Sequence, residues 1–335
     1  MQQFNYSLLA VFAVAAVLIS CENNPGEEII VDDENKIILT VDNFLEVEFS
    51  ITGESSCRIN WGDGSDIEEH KLTILRNDHF QHLYLMDSRH TITITGNDIT
   101  SLNIGGSAFT YLDVSNNPAL ISLDVHDTYI PYLNVKKNTS LMALDCNNNL
   151  YLANLELSNN VALQELHCAY NRQFTALDVN HNVELTVLNC FGNELAELDV
   201  SNNTALEYLD CSFNNLTVLN VSKNSDLKQL HCHTNQIQEL DVSQNVQLTL
   251  LICGNNLLTQ LDMSENPLLE HLDCSYNRLE AVALNDLFET LPSNTLPKYI
   301  NISHNPGALQ CRRINAENKG WWVYDGSGVI VSSVR

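Results

Sequence analysis

The sequence predicts a mainly β architecture: a solenoid with two short strands per coil, preceded by a small β-sandwich and closed by a small C-terminal α/β cap. Three observations carry this. Cysteines recur at 146, 168, 190, 211, 232, 253 and 274, at spacings of 22, 22, 21, 21, 21 and 21 residues, and self-similarity at such a period marks a tandem array. Leucines at 209, 219, 230, 240, 251, 261 and 272 alternate steps of 10 and 11, so the chain returns to one side twice per repeat and each coil holds two nested halves. Between Lys36 and Gly96, apolar residues recur at the period of two that a half-buried strand requires, with turn residues between the runs.

Residues 1–20 carry no charge, and residues 8–19 form a 12-residue apolar run followed by Ser20-Cys21. Twelve residues are too few to span a bilayer as a helix. The run reads as the core of a signal peptide covering 1–20, and Leu18-Ile19-Ser20-Cys21 resembles a lipobox, in which Cys21 becomes the lipidated N-terminus. Residues 21–35 are polar and acidic, as a tether is. Acidic residues soon after a lipidated cysteine are similar to the surface-export signals of some Gram-negative lipoproteins. The implied location is the cell envelope, lipid-anchored at the outer membrane and surface-exposed.

Residues 36–98 are expected to form the sandwich. Strand-like runs surround Ile37-Ile38-Leu39, Val47, Phe49 and Ile51, Cys57 to Trp61, and Thr91 to Thr95. The turn Asn60-Trp61-Gly62-Asp63-Gly64, the later His82-Leu83-Tyr84 and the closing Thr91-Ile92-Thr93-Ile94-Thr95-Gly96 resemble the PKD-type immunoglobulin-like β-sandwich. Asp63-Gly64 suits a tight turn and Trp61 a large core plug, so folding alone accounts for them. The resemblance implies a spacer or N-terminal cap.

Residues 99–283 are the array. A Cys-type half such as Leu227-Lys228-Gln229-Leu230-His231-Cys232-His233-Thr234-Asn235 alternates with a half such as Leu240-Asp241-Val242 with Asn245. Leu and the Cys or Val two positions on point the same way, into a core that single coils cannot close and stacked coils can. The Asn five residues after each framework Leu (149, 171, 193, 214, 235, 256 and 277) falls where the strand ends, and its amide can satisfy turn backbone there. Thr128 and Val125 mark the first Cys-type half as atypical. These residues resemble the leucine-rich-repeat superfamily, specifically the bacterial, internalin-like class that nests LxxLxLxxNxL and LxxLDLxxN units. The resemblance covers about 200 residues and implies fold, not ligand.

Residues 284–335 are expected to cap the open end. Helical spacing over 284–291 stops at Pro292, a strand follows over 299–303, a short helix over 312–319, and Gly320-Trp321-Trp322-Val323 closes the edge. An uncovered solenoid end is a template for unwanted strand pairing.

The formal net charge is −26, from 16 Lys and Arg against 42 Asp and Glu. That argues against nucleic acid or an anionic membrane surface as partner; a cation or a basic protein patch is easier to accommodate, and acidity that only keeps a long surface soluble accounts for the charge equally well. Without Cys21, nine cysteines remain, an odd number. Parallel, in-register side chains make good disulfide torsions difficult, so the column is expected to hold small buried thiols.

Candidate function lies on the exposed side of the Cys-type strands. Outward positions there bring His167, Tyr208, Asp210, His231, His271 and Asp273, and the rim after the cysteines adds Tyr170, Phe213, His233 and Tyr276, with Phe191 between them. A constant core with one varied, aromatic-rich and lysine-poor face behaves as a recognition surface. On the opposite side, Asp178, Asp199, Asp241 and Asp262 form a row that local hydrogen bonds or Ca²⁺ would relieve. No resident cofactor is expected, and no nucleophile elbow, phosphate loop or zinc-protease motif is present in the sequence. The leading expectation is a non-enzymatic cell-surface protein that binds a protein ligand on a host or neighbouring cell. Glycan capture through stacked rings, and a scaffold or inhibitor partner of an envelope enzyme, are the alternatives.

Overall fold

The computed structural model describes residues 35–293 and 298–327. The expected signal peptide, Cys21 and all but the last residue of the tether lie outside them. Six strands come first: β1 (Lys36–Asp42), β2 (Glu46–Gly53), β3 (Ser56–Asn60), β4 (Glu68–Lys71), β5 (Asp78–Leu83) and β6 (Arg89–Gly96). Then follow β7 (Ile99–Asn103), β8 (Phe109–Asp113), β9 (Ser122–Asp124), β10 (Ala143–Asp145), β11 (Glu165–His167), β12 (Val187–Asn189) and β13 (Tyr208–Asp210). The array ends with β14 (Gln229–His231), β15 (Leu250–Ile252) and β16 (His271–Asp273), and the cap holds α1 (Ala281–Thr290), β17 (Lys298–Asn301), α2 (Ile314–Glu317) and β18 (Trp321–Tyr324).

Two sheets result. One has the order β4-β3-β6-β1-β8; the other runs from β18 through the parallel rungs to β9, then β7-β2-β5. β7 pairs antiparallel with β2 and parallel with β9, while β8 pairs antiparallel with β1. The first coil therefore shares both sheets with the strands before it, and the solenoid begins without a bare edge.

Inward residues of both sheets meet in one core: Ile37, Leu39 and Val41 on β1, Ile92 and Ile94 on β6, and Val47, Phe49 and Ile51 on β2 are all buried. Phe49 packs on Trp61 and Phe80 with centroids 5.5 and 5.6 Å apart. The Trp-Gly-Asp-Gly turn and the later His82 and Tyr84 close on each other. The His82 ring stacks on Trp61 at 4.6 Å, its Nε2 lies 2.8 Å from an Asp63 carboxylate oxygen, and the Tyr84 hydroxyl donates to the Trp61 carbonyl at 2.9 Å. Gly62 has φ +78°, and a Cβ there would lie 2.2 Å from the Thr91 carbonyl oxygen, so only glycine fits.

One correction concerns the coils. From β9 to β16 each coil holds one three-residue strand, on the Cys-type half, and its Leu-Asp-Val half is built from turns; the first coil keeps a second strand, β8, whose Leu112 and Asp113 pair with β1. The reason lies in the asparagines. Around Val200, the Asn203 N–H turns back onto the Val200 carbonyl at 3.0 Å, and Asp199 accepts the Ser201 N–H at 2.9 Å. The link to the next coil is made by a side chain: the Asn224 amide donates to the Val200 and Asn203 carbonyls at 3.0 and 2.8 Å. With those groups occupied by turns and side-chain amides, no backbone ladder forms.

On the Cys-type half the asparagine works with the ladder. Asn235 Nδ2 donates to the Cys211 and Cys232 carbonyls at 3.0 and 3.1 Å, and its Oδ1 accepts the Leu216 N–H at 2.9 Å. Thr128 substitutes in the coil of β9, donating its hydroxyl to the Val125 carbonyl at 3.1 Å. Behind the strands, Cys146, Cys168, Cys190, Cys211, Cys232, Cys253 and Cys274 are completely buried and carry free thiols, between columns of buried Leu and Val. Each framework leucine contributes about 1.5–3 kcal/mol by leaving water.

The cap seals the far end. α1 buries Leu284, Leu287 and Phe288, and β17 and β18 continue the parallel ladder. Trp321 is buried, donates its indole N–H to the Pro292 carbonyl at 2.9 Å, and carries Lys298 Nζ 5.3 Å from its ring. Among the described residues, no helix is long and apolar enough to cross a membrane.

Candidate recognition face

Each short strand buries its central Leu and turns its two flanking residues outward, as the strand period of two demands. In-register pairing lines these residues into two rows. One reads Asn103, Asp124, Asp145, His167, Asn189, Asp210, His231, Ile252, Asp273 and Asn301. The other brings Glu165, Val187, Tyr208, Gln229, Leu250, His271 and Tyr299 side by side. Of the candidate residues, His167, Asp210, His231 and Asp273 thus share one row, and Tyr208 and His271 the other.

Tyr170, Phe213 and Tyr276 stand at the rim in an unusual backbone state. Two residues past each inner Cys the chain is left-handed: φ is +56° at Asn148, +57° at Tyr170, +69° at Gly192, +53° at Phe213, +57° at Thr234, +53° at Asn255 and +52° at Tyr276. The turn is enforced by hydrogen bonds from those N–H groups to the following coil, 2.7 Å from Tyr170 to the Phe191 carbonyl and 3.0 Å from Phe213 to that of His233. Glycine and asparagine tolerate this conformation, whereas for other L-residues it costs roughly 1–2 kcal/mol. Tyr170, Phe213 and Tyr276 nevertheless occupy it while remaining 50, 48 and 54% exposed. Half of each ring is thus left in water at a strained position.

The rings form a continuous run. Phe191 lies 4.9 Å from Tyr170 and 5.0 Å from Phe213, and Phe213 meets the edge of His233 at 5.1 Å. Further on, Tyr276 stacks on His304 at 3.9 Å. Two shallow depressions open on this rim, one of about 510 Å³ between His233, Asp273, Ser275 and Tyr276, the other of about 410 Å³ between Tyr170, Arg172, Phe191 and Phe213.

Burial pushes the His231 and His233 imidazoles below their ordinary value, against the opposing pull of Asp210. The Asp210 carboxylate accepts the Ser212 N–H at 3.0 Å, and Asp273 accepts from Ser275 N–H and Oγ at 2.9 and 2.6 Å. The face therefore presents aromatic rings, imidazoles held toward the neutral form, and pre-oriented carboxylates, which together suit noncovalent docking.

On the opposite side, Asp178, Asp199, Asp241 and Asp262 each accept the backbone N–H two residues on, from Asn180, Ser201, Ser243 and Ser264 at 3.0, 2.9, 2.9 and 2.8 Å. Those bonds hold the Asp199 and Asp241 carboxyls below the usual carboxylate range. Sequence reasoning overlooked two features of the front face. One is the left-handed column, whose signal was the Asn or Gly recurring two places after the Cys position. The other is the convergence of Asp124, His126 and Asp145, the metal-competent trio found among the described residues; its signal was Asp-Val-His in the atypical coil.

No protein-family model and no curated protein matches this sequence. Among solved structures, the functional domain of InlJ from Listeria monocytogenes, which includes a cysteine ladder, is 31% identical with a TM-score of 0.59, covering 70% of this chain and 55% of its own. A leucine-rich-repeat protein of Leptospira interrogans is 24% identical at a TM-score of 0.54, covering 61% and 54%. The leucine-rich-repeat domain of APL1B is 21% identical at a TM-score of 0.51, covering 68% and 72%. The chain spans about half the length of the first two. By the stacking of its coils and by these likenesses, the array from β7 onward has the leucine-rich-repeat fold.

Proposed function

We propose that this protein is a non-enzymatic, lipid-anchored cell-surface protein that recognises a protein partner through the strand face and aromatic rim of its solenoid. One observation carries the reading: Tyr170, Phe213 and Tyr276 keep large, half-exposed rings at strained left-handed positions where Asn or Gly would be relaxed. Strain retained at a solvent-facing site is characteristic of residues kept for contact rather than for folding. Aromatic anchors surrounded by hydrogen-bonding groups are the usual energetic centres of protein interfaces. In this reading Cys21 carries the lipid, residues 21–35 tether the fold, and the PKD-like strands act as a spacer.

The test joins stability to binding. The triple variant Tyr170→Asn, Phe213→Asn, Tyr276→Asn is expected to melt close to the wild type, because relief of backbone strain offsets the lost ring contacts. Its capture of partners on an array of purified extracellular proteins is expected to fall at least tenfold. Undiminished capture by the variant would refute the assignment of the face. A signal confined to a parallel glycan array would replace the protein partner with a sugar.

A further inference from the structure

The outward row distributes its charges unevenly. Asp210 lies between Asn189 and His231, and Asp273 between Ile252 and Asn301, so each has neutral or imidazole neighbours. Asp124 and Asp145, by contrast, are direct neighbours in register on β9 and β10. Like charges directly opposite on paired strands repel, and half-burial strengthens the repulsion by lowering the local dielectric. Nothing in the strand framework requires two acids there, since the equivalent positions on the next rungs are His167 and Asn189.

A third group turns toward the pair. His126 lies two residues beyond Asp124, its Nδ1 2.5 Å from Asp124 Oδ1. One ligand atom from each of Asp124, His126 and Asp145 lies within 4.8 Å of the others, and all three residues are half-buried. The surroundings leave room for the imidazole only because position 105 is glycine: a Cβ there would stand 2.1 Å from His126 Nδ1 and 2.9 Å from Asp124 Oδ1. Outer partners fix the carboxylates. Asn103 Nδ2 donates to Asp124 Oδ2 at 2.8 Å, and the Asn147 N–H donates to Asp145 Oδ1 at 3.0 Å. Hydrogen-bonded outer groups of this kind orient metal ligands and set their basicity.

We propose that Asp124, His126 and Asp145 bind a first-row divalent cation of the Zn²⁺ type at the N-terminal end of the strand face. One imidazole nitrogen and two carboxylate oxygens match the ligand preference of Zn²⁺ and its neighbours. Ca²⁺ needs six to eight oxygens, which this trio does not supply. The cation would neutralise the adjacent acids. With three protein ligands, a fourth position would face solvent, where water or a partner's carboxylate completes the shell.

Titration calorimetry of the full chain with Zn²⁺, Ca²⁺ and Mg²⁺, alongside thermal melting, tests this. Zn²⁺ is expected to bind one per chain and to raise the melting temperature; Ca²⁺ and Mg²⁺ at the same concentration are not. Asp145→Asn and His126→Ala should each weaken Zn²⁺ at least tenfold, and Co²⁺ should lose its visible ligand-field bands in both. Without metal, Asp145→Asn should melt at or above the wild-type temperature, because it removes the repulsion, so lost binding cannot be ascribed to misfolding. His231→Gln with His233→Gln should leave Zn²⁺ binding unchanged. The proposal is overturned if Zn²⁺ fails to bind, if Ca²⁺ binds equally, or if the Asp145 and His126 variants bind as the wild type does.

Discussion

Asn235 and Asn224 occupy corresponding corners of the two half-coils, but their hydrogen bonds differ. Asn235 supplies both amide and carbonyl, and its Oδ1 is the partner found for the buried Leu216 N–H. Asn224 supplies only its amide, its Oδ1 has no partner, and the two carbonyls it reaches also accept the Asn203 and Leu206 N–H groups. Asn235→Ala therefore strands a buried donor, whereas Asn224→Ala leaves every main-chain group with some partner. An unpaired buried group costs about 1–3 kcal/mol. Asn235→Ala is expected to lower stability by roughly that amount more than Asn224→Ala, as read from urea midpoints of the two variants. Equal midpoints would show that the two asparagine columns are interchangeable. The five-residue step from Leu to Asn made both columns legible in the sequence, because an amide recurring at a strand end has few other uses. Their different wiring was not legible, since it depends on which neighbouring carbonyls already have donors.

At the scale of elements, the Cys-type strands were readable from Leu-x-Cys alternation, and α1 from its spacing and Pro292. The absence of a second strand from the coils of β9 to β16 was not, because Leu-Asp-Val also satisfies the period of two. What decides is the Asp that caps its own turn and the Asn that takes the ladder's place, as at Asp199 and Asn224. The candidate face followed the same division. Alternation along β13 and β14 showed that Asp210 and His231 face outward, but the left-handed turn that lifts Phe213 and Tyr276 to the rim arises only when coils stack. β14 also carries a pH signature through His231 and, just beyond it, His233, both shifted toward the neutral form by burial. Their folded-state values lie below the ordinary 6.5, so near and below that pH the unfolded chain binds more protons and stability falls as the solution is acidified. Lowering the pH from 7.5 to 5.5 should reduce the melting temperature of the wild type more than that of His231→Gln with His233→Gln. Identical slopes would mean that neither imidazole is desolvated.

The whole molecule behaves as a stack in which each coil touches only its neighbours, so access to its interior is a question of where the stack opens. The cysteine column reports on that opening. All seven thiols from Cys146 to Cys274 are fully buried, and desolvation raises them, Cys232 to about 12. Reaction needs the thiolate, which burial disfavours and solvent exclusion keeps out of reach. Cys311 is different: it sits half-buried in the cap, and the nearby Arg313 charge partly offsets the desolvation that raises its thiol. Native protein exposed to an alkylating reagent should therefore gain label at Cys311 first. Label in the column should appear only as coils open, and more slowly toward the middle, because fewer neighbouring coils must open before one near either end is exposed. Cys211 is then expected to be among the last modified, after Cys146 and Cys274. Full labelling should require denaturant. Intact-mass and peptide mass spectrometry over time distinguish this order from its rivals. Simultaneous labelling of all seven would indicate that the solenoid opens as one cooperative unit. Early labelling of Cys211 would show a breach at the strand face itself, and with it the loss of the rigid platform on which the recognition rim depends.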